Sequence, residues 1–428
     1  MMLPIVGVIF FASIVIGMPV AFGMGLATST FIIFFQGLDP TLLARRFYFS
    51  LGSFPLLAIP LFTMLGILAD RAHMLPRLVV WLQMVLGRSR GGMAYLNVLQ
   101  SLVFAGAGGT AVSDIASTGR VQIQLMVRAG YPVLYSAALT AATAVIGPII
   151  PPSLAMIIYG MAVGNVSVGG LFVAAIIPGL LFTAGFLVMT WYTTRRHNYG
   201  VVLNPAPFRE IVWSTMLVLP LLVLPFIIIG GIILGVFTVT ESAGIGVVYT
   251  LIIGLVSKPR LRWKDIYDTV LYSAIVSSVV GMLLATGAII AWLFAFNGVT
   301  QTVADFLTSV TDSPTIFLLL VMLALLVLGM VMDAAPIMVA VAPLLAPIAQ
   351  QYGVPDFQFG IVFIVACMVG IVHPPVGIVL FMTSSIANVS VEKLSVAILP
   401  FVAWLILVVV LMIFIPELTT WLPTVFGF

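Results

Sequence analysis

The sequence carries very little charge for its length. Only 7% of its 428 residues are Asp, Glu, Lys or Arg, against roughly 25% in an ordinary soluble domain. Hydrophobic residues make up 62% of the chain, which leaves too little polar surface for a water-soluble fold. The formal net charge of +3 gives no basic footprint for nucleic acid. The composition therefore excludes a water-soluble protein, and we expect no nucleic-acid partner.

Cysteine and histidine are also scarce. Cys367 is the single cysteine, so neither a disulfide framework nor a thiolate metal site can form within the chain. His373 stands directly before a proline and has no second histidine nearby in the sequence. We interpret it as a packed or hydrogen-bonded histidine rather than a proton carrier.

Long apolar runs recur along the chain. A membrane-spanning helix needs about 17 to 25 apolar residues to cross roughly 30 Å of hydrocarbon. The sequence therefore predicts an all-α polytopic membrane protein embedded in a lipid bilayer. The runs that meet this length, or meet it with their neighbours, include residues 4–22, 168–192, 211–236, 316–331 and 397–415.

Basic residues cluster between the apolar runs and predict the topology. The strongest cytoplasmic marker is SKPRLRWK, residues 257–264, and Arg195 and Arg196 form another. Two apolar segments lie between these markers, so residues 237–241 are expected near the outer face. Glu241 follows a Thr-Val-Thr segment there, which favours a helix cap at the membrane surface. The termini lack basic residues, and we expect them on the outer side as well.

The chain contains an internal repeat. GPIIPPSLAMIIYGMAVGNVSV begins at Gly147 and GIVHPPVGIVLFMTSSIANVSV begins at Gly370, 223 positions later. The same offset joins the Gly-x-Pro at Gly130 to the one at Gly353. Each half therefore has a long apolar run broken at Pro-Pro, which suggests a transporter built from two repeats.

The two Pro-Pro dipeptides predict helix breaks at membrane depth. Proline removes a backbone donor and clashes with the preceding turn, so two in succession free several carbonyls. A broken helix persists in hydrocarbon only where it is buried in protein or lines a watery cavity. The half-helices then present N–H groups on one side and carbonyls on the other. A break of this kind either kinks a helix for packing or holds ions, and its repetition favours ion binding.

A second polar interruption lies upstream of each break, at residues 105–119 and 329–343, and each contains one Asp. An ionised carboxylate near mid-membrane costs about 3 kcal/mol on insertion scales, so Asp114 and Asp333 need partners. Either each Asp lies in a loop or a helix cap near the interface, or each helps to bind a small cation, most simply Na⁺. In the second case, hydroxyls such as those of Thr110 and Ser113 supply further hard oxygen ligands.

An enzyme is the alternative from another class. Two Asp residues in a membrane protein could form an intramembrane aspartyl protease pair that shares one proton. Each Asp here lies in its own interruption next to its own Pro-Pro break. Two separate sites explain this pattern better than one shared site, and we expect no enzyme.

The motifs together resemble the large membrane subunit (DctM-like) of tripartite ATP-independent periplasmic (TRAP) transporters, within the wider ion transporter superfamily. The resemblance covers nearly the whole chain and rests on AGAGGTAVSDIASTG, GPIIPPSLAMIIYG, TVTESAG, GMVMD, APLLAPIAQQYGVP and HPPVGIVLF.

This resemblance implies a Na⁺-coupled importer of a small organic anion, a carboxylate or sulfonate, in the bacterial inner membrane. A periplasmic substrate-binding protein would deliver the substrate, and a small membrane subunit of about four helices would complete the membrane part. A self-sufficient Na⁺/anion symporter without a binding protein remains open.

The implied fold has two inverted repeats with re-entrant hairpins and broken helices, in an elevator with scaffold and transport domains. The expected divisions are N-terminal scaffold helices (1–93), a first transport repeat (94–167), central scaffold helices (168–315), a second transport repeat (316–391) and a C-terminal helix (392–428).

The implied sites lie where each hairpin tip faces its break: residues 105–114 against 147–153, and residues 329–333 against 370–377. Two departures from the family pattern concern side chains. The first tip has Ala107, Gly108 and Gly109 where many relatives are Ser-rich, and His373 stands where many have a hydroxyl. The implied substrate residues are Thr110, Ser113, Pro152, Ser153 and Pro375, and the implied Na⁺ residues are Gly106, Gly108, Thr110, Asp114, Gly147, Pro151, Gly329, Asp333, Gly370, His373 and Pro374.

Overall fold

The computed structural model describes residues 2–108, 110–200 and 206–428, and within these ranges the regular structure is helical. Short π-helices cover Phe31–Phe35 and Ile115–Gly119, and a 3₁₀ turn covers Phe54–Leu57. The α-helices are α1 (Met2–Val15), α2 (Val20–Thr30), α3 (Thr41–Leu51), α4 (Ala58–Arg71), α5 (Met74–Leu86), α6 (Gly92–Gly108), α7 (Ala111–Asp114), α8 (Arg120–Arg128), α9 (Val133–Thr143), α10 (Ile146–Ile149), α11 (Leu154–Val163), α12 (Val168–Ala174), α13 (Ile176–His197), α14 (Phe208–Ile233), α15 (Val239–Val256), α16 (Trp263–Phe296), α17 (Val299–Val310), α18 (Pro314–Val331), α19 (Ala334–Gln351), α20 (Asp356–Gly370), α21 (Ile378–Ala387), α22 (Val391–Phe414) and α23 (Glu417–Val425).

The described residues contain eight helices long and apolar enough to cross a membrane, or nine if one bent pair counts as a span. This confirms the prediction of an all-α polytopic membrane protein. The spans coincide with most of the predicted runs, since they include Val168–His197, Phe208–Ile233, Pro314–Val331 and Val391–Phe414. The remainder of the described chain forms shorter helices that pack among these spans.

The N-terminal region is more interrupted than the expected run of scaffold helices. The apolar run at residues 4–22 is not one span, because α1 ends at Val15 and α2 begins at Val20. Gly17 between them has a φ of 84°, and Pro19 lacks an N–H, so the helix cannot continue through this segment. Further along, Gly52 and the 3₁₀ turn separate α3 from α4. Apolar composition alone does not reveal these breaks.

Helix boundaries recur through both halves of the chain. Helices that begin at residues 92, 111, 133, 154 and 168 have counterparts that begin at residues 314, 334, 356, 378 and 391, at spacings of 222 to 224. The correspondence extends upstream, where α3 and α4 together match the single helix α16. The 223-residue sequence repeat is therefore also a repeat of secondary structure.

The two Asn-Val-Ser-Val segments lie at opposite ends of α22. Residues 165–168 lead into α12, and a methyl group built on Gly169 would lie 3.2 Å from Cε1 of Phe428, which follows α23. Helix α23 packs on α12 and comes directly after the C-terminal end of α22. Residues 388–391 lead into the other end of α22. This helix has 24 residues, so about 36 Å separates its ends.

Candidate functional site

The first hairpin tip is capped by its own hydroxyl. Thr110 is the N-cap of α7, and its Oγ1 accepts a hydrogen bond from the backbone N–H of Ser113 at 3.1 Å. Both residues are exposed. Gly106 and Gly108 lie in the last turns of α6. Gly109 lies outside the described residues. The tip therefore presents one hydroxyl that caps the helix and a second one nearby.

Asp114 ends α7 and is buried, with 2% of its surface exposed. Its Oδ1 accepts a hydrogen bond from Thr118 Oγ1 at 2.8 Å. The chain then continues in the π-helix Ile115–Gly119, an irregular turn of a kind that often marks functional sites. Asp114 forms no ion pair with a described residue. It is therefore a buried carboxylate with spare acceptor capacity.

The first break is enclosed in protein. Helix α10 ends at Ile149 and α11 begins at Leu154. The segment Val133–Ile149 and the helix Leu154–Val163 are bent by 49° relative to each other. Pro151 and Pro152 between them are joined by a cis peptide bond, and both are buried together with Ser153. Ser153 Oγ donates to the carbonyl of Pro148 and accepts from the N–H of Met156. Ser153 thus links the two half-helices.

The break leaves several carbonyls without a donor among the described residues, and that of Gly147 is one of them. Pro151 has no N–H to offer the carbonyl four residues earlier, which belongs to Gly147. Among the described residues, no backbone or side-chain donor bonds to that carbonyl. A backbone oxygen left unpaired inside the protein is expensive unless it has a partner. The Gly147 carbonyl is therefore available to a cation.

The second hairpin tip is built by a helix cap. Helix α18 ends at Val331, and Asp333 is the N-cap of α19, where its Oδ1 accepts from the N–H of Ala334 at 2.7 Å. Asp333 is exposed, in contrast to Asp114. Asp333 is thus a helix N-cap, and its Oδ2 forms no hydrogen bond with a described residue.

The second break is partly paired by its own backbone. The carbonyl of Gly370 accepts from the N–H of His373 at 3.1 Å, and that of Ile371 accepts from the N–H of Val379 at 3.1 Å. Nδ1 of His373 lies 2.5 Å from the carbonyl oxygen of Pro374, so the histidine is hydrogen-bonded, as interpreted from the sequence. The Pro374 and Pro375 peptide bond is again cis. Pro375 is exposed, whereas His373 and Pro374 are half-buried.

Each tip lies against its own broken helix. A methyl group built on Gly329 would lie 2.7 Å from Cα of Gly370, and one built on Gly370 would lie 2.8 Å from Cα of Gly329. The backbones of α18 and α20 therefore touch at these glycines. In the first half, α7 packs on α10, although no described atom lies within 4 Å of a methyl group built on Gly147.

The two halves also exchange contacts. Helix α21, which follows the second break, packs on α7, on the π-helix Ile115–Gly119 and on α8 of the first hairpin. Helix α11, which follows the first break, packs on α19 of the second hairpin. The structure therefore brings the predicted residues of each half into one connected assembly of two tips and two breaks.

A buried polar cluster that was not predicted from the sequence lies behind the first hairpin. Asn97 on α6 is fully buried, donates from Nδ2 to Thr140 Oγ1 at 2.7 Å, and accepts at Oδ1 from Thr143 Oγ1 at 2.8 Å. These bonds fix the hairpin helix α6 to α9. A signal was present, because Thr140 and Thr143 are spaced to share one helix face in an otherwise apolar segment.

Glu241 is a capping residue, as interpreted from the sequence. Its Oε2 accepts from the N–H of Thr238 at 2.8 Å, and Thr238 Oγ1 accepts from the N–H of Glu241 at 3.2 Å. This capping box begins α15.

A cavity of about 710 Å³ lies away from these residues. It is bounded by α11 and α19 on one side and by α4, α15 and α16 on the other. Its lining contains hydroxyl residues as well as apolar ones. None of the predicted site residues lines it. The hydroxyl residues of its wall are Ser50, Ser53, Ser167, Thr238 and Thr240.

The donor set can be tested against Na⁺. Within the described ranges, no group of three or more His, Cys, Asp or Glu side chains could hold a metal ion. Hard cations such as Na⁺ also take carbonyl and hydroxyl oxygens. The Gly147 carbonyl, the Asp114 carboxylate and the exposed hydroxyls of the first tip are oxygens of this kind, so the residues fit a small hard cation.

The fold has a counterpart among solved structures. It is similar to the YdaH transporter of Alcanivorax borkumensis, with a TM-score of 0.61 and 16% sequence identity, over 87% of this chain and 86% of that one. The molecule is thus a polytopic helical membrane protein with a transporter fold.

Sequence comparison identifies the family. Residues 7–418 match the model of the tripartite ATP-independent periplasmic transporter, DctM component. The chain is 32% identical to the 2,3-diketo-L-gulonate TRAP transporter large permease protein YiaN of Escherichia coli (strain K12), over 95% of each chain. It is also 32% identical to the sialic acid TRAP transporter permease protein SiaT of Haemophilus influenzae (strain 86-028NP), over 95% of this chain and 66% of SiaT. The chain belongs to the DctM family of TRAP transporter large permeases.

Proposed function

We propose that this chain is the large permease of a secondary transporter that imports a small organic anion with Na⁺ across the bacterial inner membrane. The observation that carries the proposal is the first site, where the free Gly147 carbonyl and the buried Asp114 carboxylate lie on elements that pack together. A cation bound there would pair a carboxylate that has no basic partner among the described residues.

Thr110 and Ser113 would add hydroxyl oxygens, and the second tip would offer Asp333. A bound cation would lower the repulsion between these carboxylates and an incoming anion, and the anion would in turn favour cation binding. Coupling of this kind is reciprocal, because each ligand stabilises the arrangement that the other one needs.

The substrate class follows from the relatives. YiaN is named for 2,3-diketo-L-gulonate and SiaT for sialic acid, and both are carboxylates. We extend this to the present chain as a carboxylate or sulfonate substrate, held between the two breaks near Pro152, Ser153 and Pro375. The N-terminal ends of α11 and α21, which follow the two breaks, would offer the positive ends of their dipoles to such an anion.

The two repeats would be inverted and would move as an elevator. The two Asn-Val-Ser-Val segments lie at opposite ends of α22, which supports the inversion. Residues 94–167 and 316–391 would then form the mobile transport part, with scaffold helices at residues 1–93 and 168–315 and the C-terminal helix at residues 392–428. A small membrane subunit of about four helices and a periplasmic binding protein would complete the transporter.

Na⁺ binding can be tested before the substrate is known. Thermal unfolding of the purified chain in detergent should shift upward when NaCl replaces choline chloride, because a ligand that binds only the folded state stabilises it. Asp114→Asn and Asp333→Asn should each lose this shift. Asp305→Asn is the matched control, since Asp305 is exposed on α17 and its carboxylate accepts only from Gln301 among the described residues. A full Na⁺ shift in both site variants would refute the assignment of these carboxylates.

Transport is tested in liposomes with the small subunit and the binding protein present, using sialic acid and 2,3-diketo-L-gulonate as first probes. Uptake should require an inward Na⁺ gradient and should fail in both Asp variants. Uptake without the binding protein would instead support a self-sufficient symporter. The protease alternative predicts cleavage activity that is indifferent to Na⁺, and the main packing partners of α7 and α19 differ, which disfavours a shared carboxylate pair.

A further inference from the structure

A second cavity of about 570 Å³ lies on the outside of the helix bundle, between α2, α3 and α16. It is lined almost wholly by apolar side chains, with Ser29 and Thr286 as the polar exceptions. Helix α3 forms its roof and has no buried residue. The main apolar wall residues are Met18, Phe22, Leu26, Phe47, Met282 and Ile289.

The groove has the length of a lipid acyl chain segment. Along α16 the lining runs from Met282 to Ile289, and Trp292 stands one turn further on. Ten residues of helix separate Met282 from Trp292, which corresponds to about 15 Å at the helical rise. On α2 the lining runs in parallel from Phe22 to Ser29, over about 10 Å, and Met18 extends it just before the helix begins. The walls therefore form a slot rather than a round pocket.

One end of the slot carries a cation. The guanidinium carbon of Arg46 lies 5.2 Å from the centre of the Trp292 ring. Arg46 is exposed, and it forms no salt bridge with a described residue. Gln36 and Asn297 hydrogen-bond to each other at 2.7 Å beyond this rim. An apolar slot with a cationic and polar rim matches an amphipathic anion.

We propose that this groove binds one phospholipid with an anionic headgroup, with an acyl chain between α2 and α16 and the phosphate beside Arg46. Tyr48 of α3 is exposed, which fits a position near the membrane interface, where aromatic side chains are enriched. The rim is at the end of α16 away from the basic residues 257–264, so the lipid belongs to the leaflet opposite that marker. A phosphate supplies the negative partner that Arg46 lacks within the described chain.

The test is native mass spectrometry of the purified full chain in detergent, titrated with phosphatidylglycerol and, in parallel, phosphatidylcholine. The wild type should retain one phosphatidylglycerol in preference to phosphatidylcholine. Arg46→Gln should weaken that retention about five- to tenfold, the effect of one basic residue at an anionic lipid surface. Ala44→Trp, which fills the groove from α3, should abolish retention of the tight lipid.

The matched control is Lys264→Gln, which removes one positive charge at the other end of α16. It should leave phosphatidylglycerol retention unchanged, and size-exclusion profiles should match the wild type for every variant. Equal binding of both lipids, or equal loss in Arg46→Gln and Lys264→Gln, would overturn the proposal. A membrane subunit that displaces the lipid on assembly, with assembly blocked by Ala44→Trp, would show that a protein helix is the occupant instead.

Discussion

The Pro151-Pro152 break and the Pro374-Pro375 break share a sequence pattern but are stabilised differently. At the first break, a side chain joins the half-helices, because Ser153 bonds both Pro148 and Met156, and the Gly147 carbonyl stays free. At the second break, backbone groups bond each other and two glycines let helices touch. The Gly147 carbonyl is therefore open to a cation whereas its counterpart at Gly370 is paired, and the second break holds its hairpin tip in close contact.

The largest difference in stability should appear when the equivalent glycines Gly147 and Gly370 are each replaced by Ala. Gly370→Ala places a methyl group 2.8 Å from Cα of Gly329, and backbone cannot move aside as a side chain can. We expect a loss of about 3 kcal/mol in the free energy of unfolding, at the upper end of overpacking costs. Gly147→Ala should change stability by less than about 1 kcal/mol, since no described atom lies within 4 Å. Denaturant unfolding in detergent measures both, and equal losses would contradict the comparison.

The buried polar cluster belongs to the first half alone among the described residues. Asn97→Leu removes the hydrogen bonds to Thr140 and Thr143 and should cost about 2 kcal/mol, because buried hydroxyls then lose partners. The position 223 residues later is Leu320, where Leu320→Met conserves volume and should cost less than about 1 kcal/mol. The same unfolding measurement applies. A loss no larger for Asn97→Leu than for Leu320→Met would show that the cluster does not fix α6 to α9.

A smaller effect should distinguish two N-cap serines. Ser153 accepts from the N–H of Met156, whereas Ser390, the N-cap of α22, makes no side-chain cap bond. Ser153→Ala should therefore cost about 1 kcal/mol, the usual value of a lost cap, and Ser390→Ala should cost less than about 0.5 kcal/mol. Thermal unfolding resolves the two variants. If both lose the same stability, Ser153 does not hold the first break together.

Much of this arrangement was predictable from the sequence. The repeated Pro-Pro predicted the breaks, and the repeated Gly-x-Pro predicted the starts of α9 and α20, because proline has a local effect that does not depend on packing. The offset of 223 residues predicted that the two halves of the chain contain matching helices. By contrast, the roles of Asp114 and Asp333 depend on burial, which differs between two residues in similar sequence surroundings. The Asn97 cluster depends on which helices meet, and the division of α3 from α4 depends on a short turn at Gly52 within apolar sequence.

His373 gives the smallest predicted effect and the sharpest question about ion binding. Its ring bonds only the adjacent Pro374 carbonyl among the described residues, and the residue is half-buried. His373→Ser should therefore shift the Na⁺ concentration that gives half-maximal thermal stabilisation by less than about twofold. Thr110→Val removes an exposed hydroxyl at the first tip, and it should raise that concentration by about fivefold, since a lost hydrogen bond or ligand of about 1 kcal/mol changes affinity by this factor. Because Thr110 also caps α7, stability without Na⁺ is measured first and subtracted. If His373→Ser changed the half-maximal Na⁺ concentration more than Thr110→Val did, side chains would contribute more to cation binding at the second break than at the first.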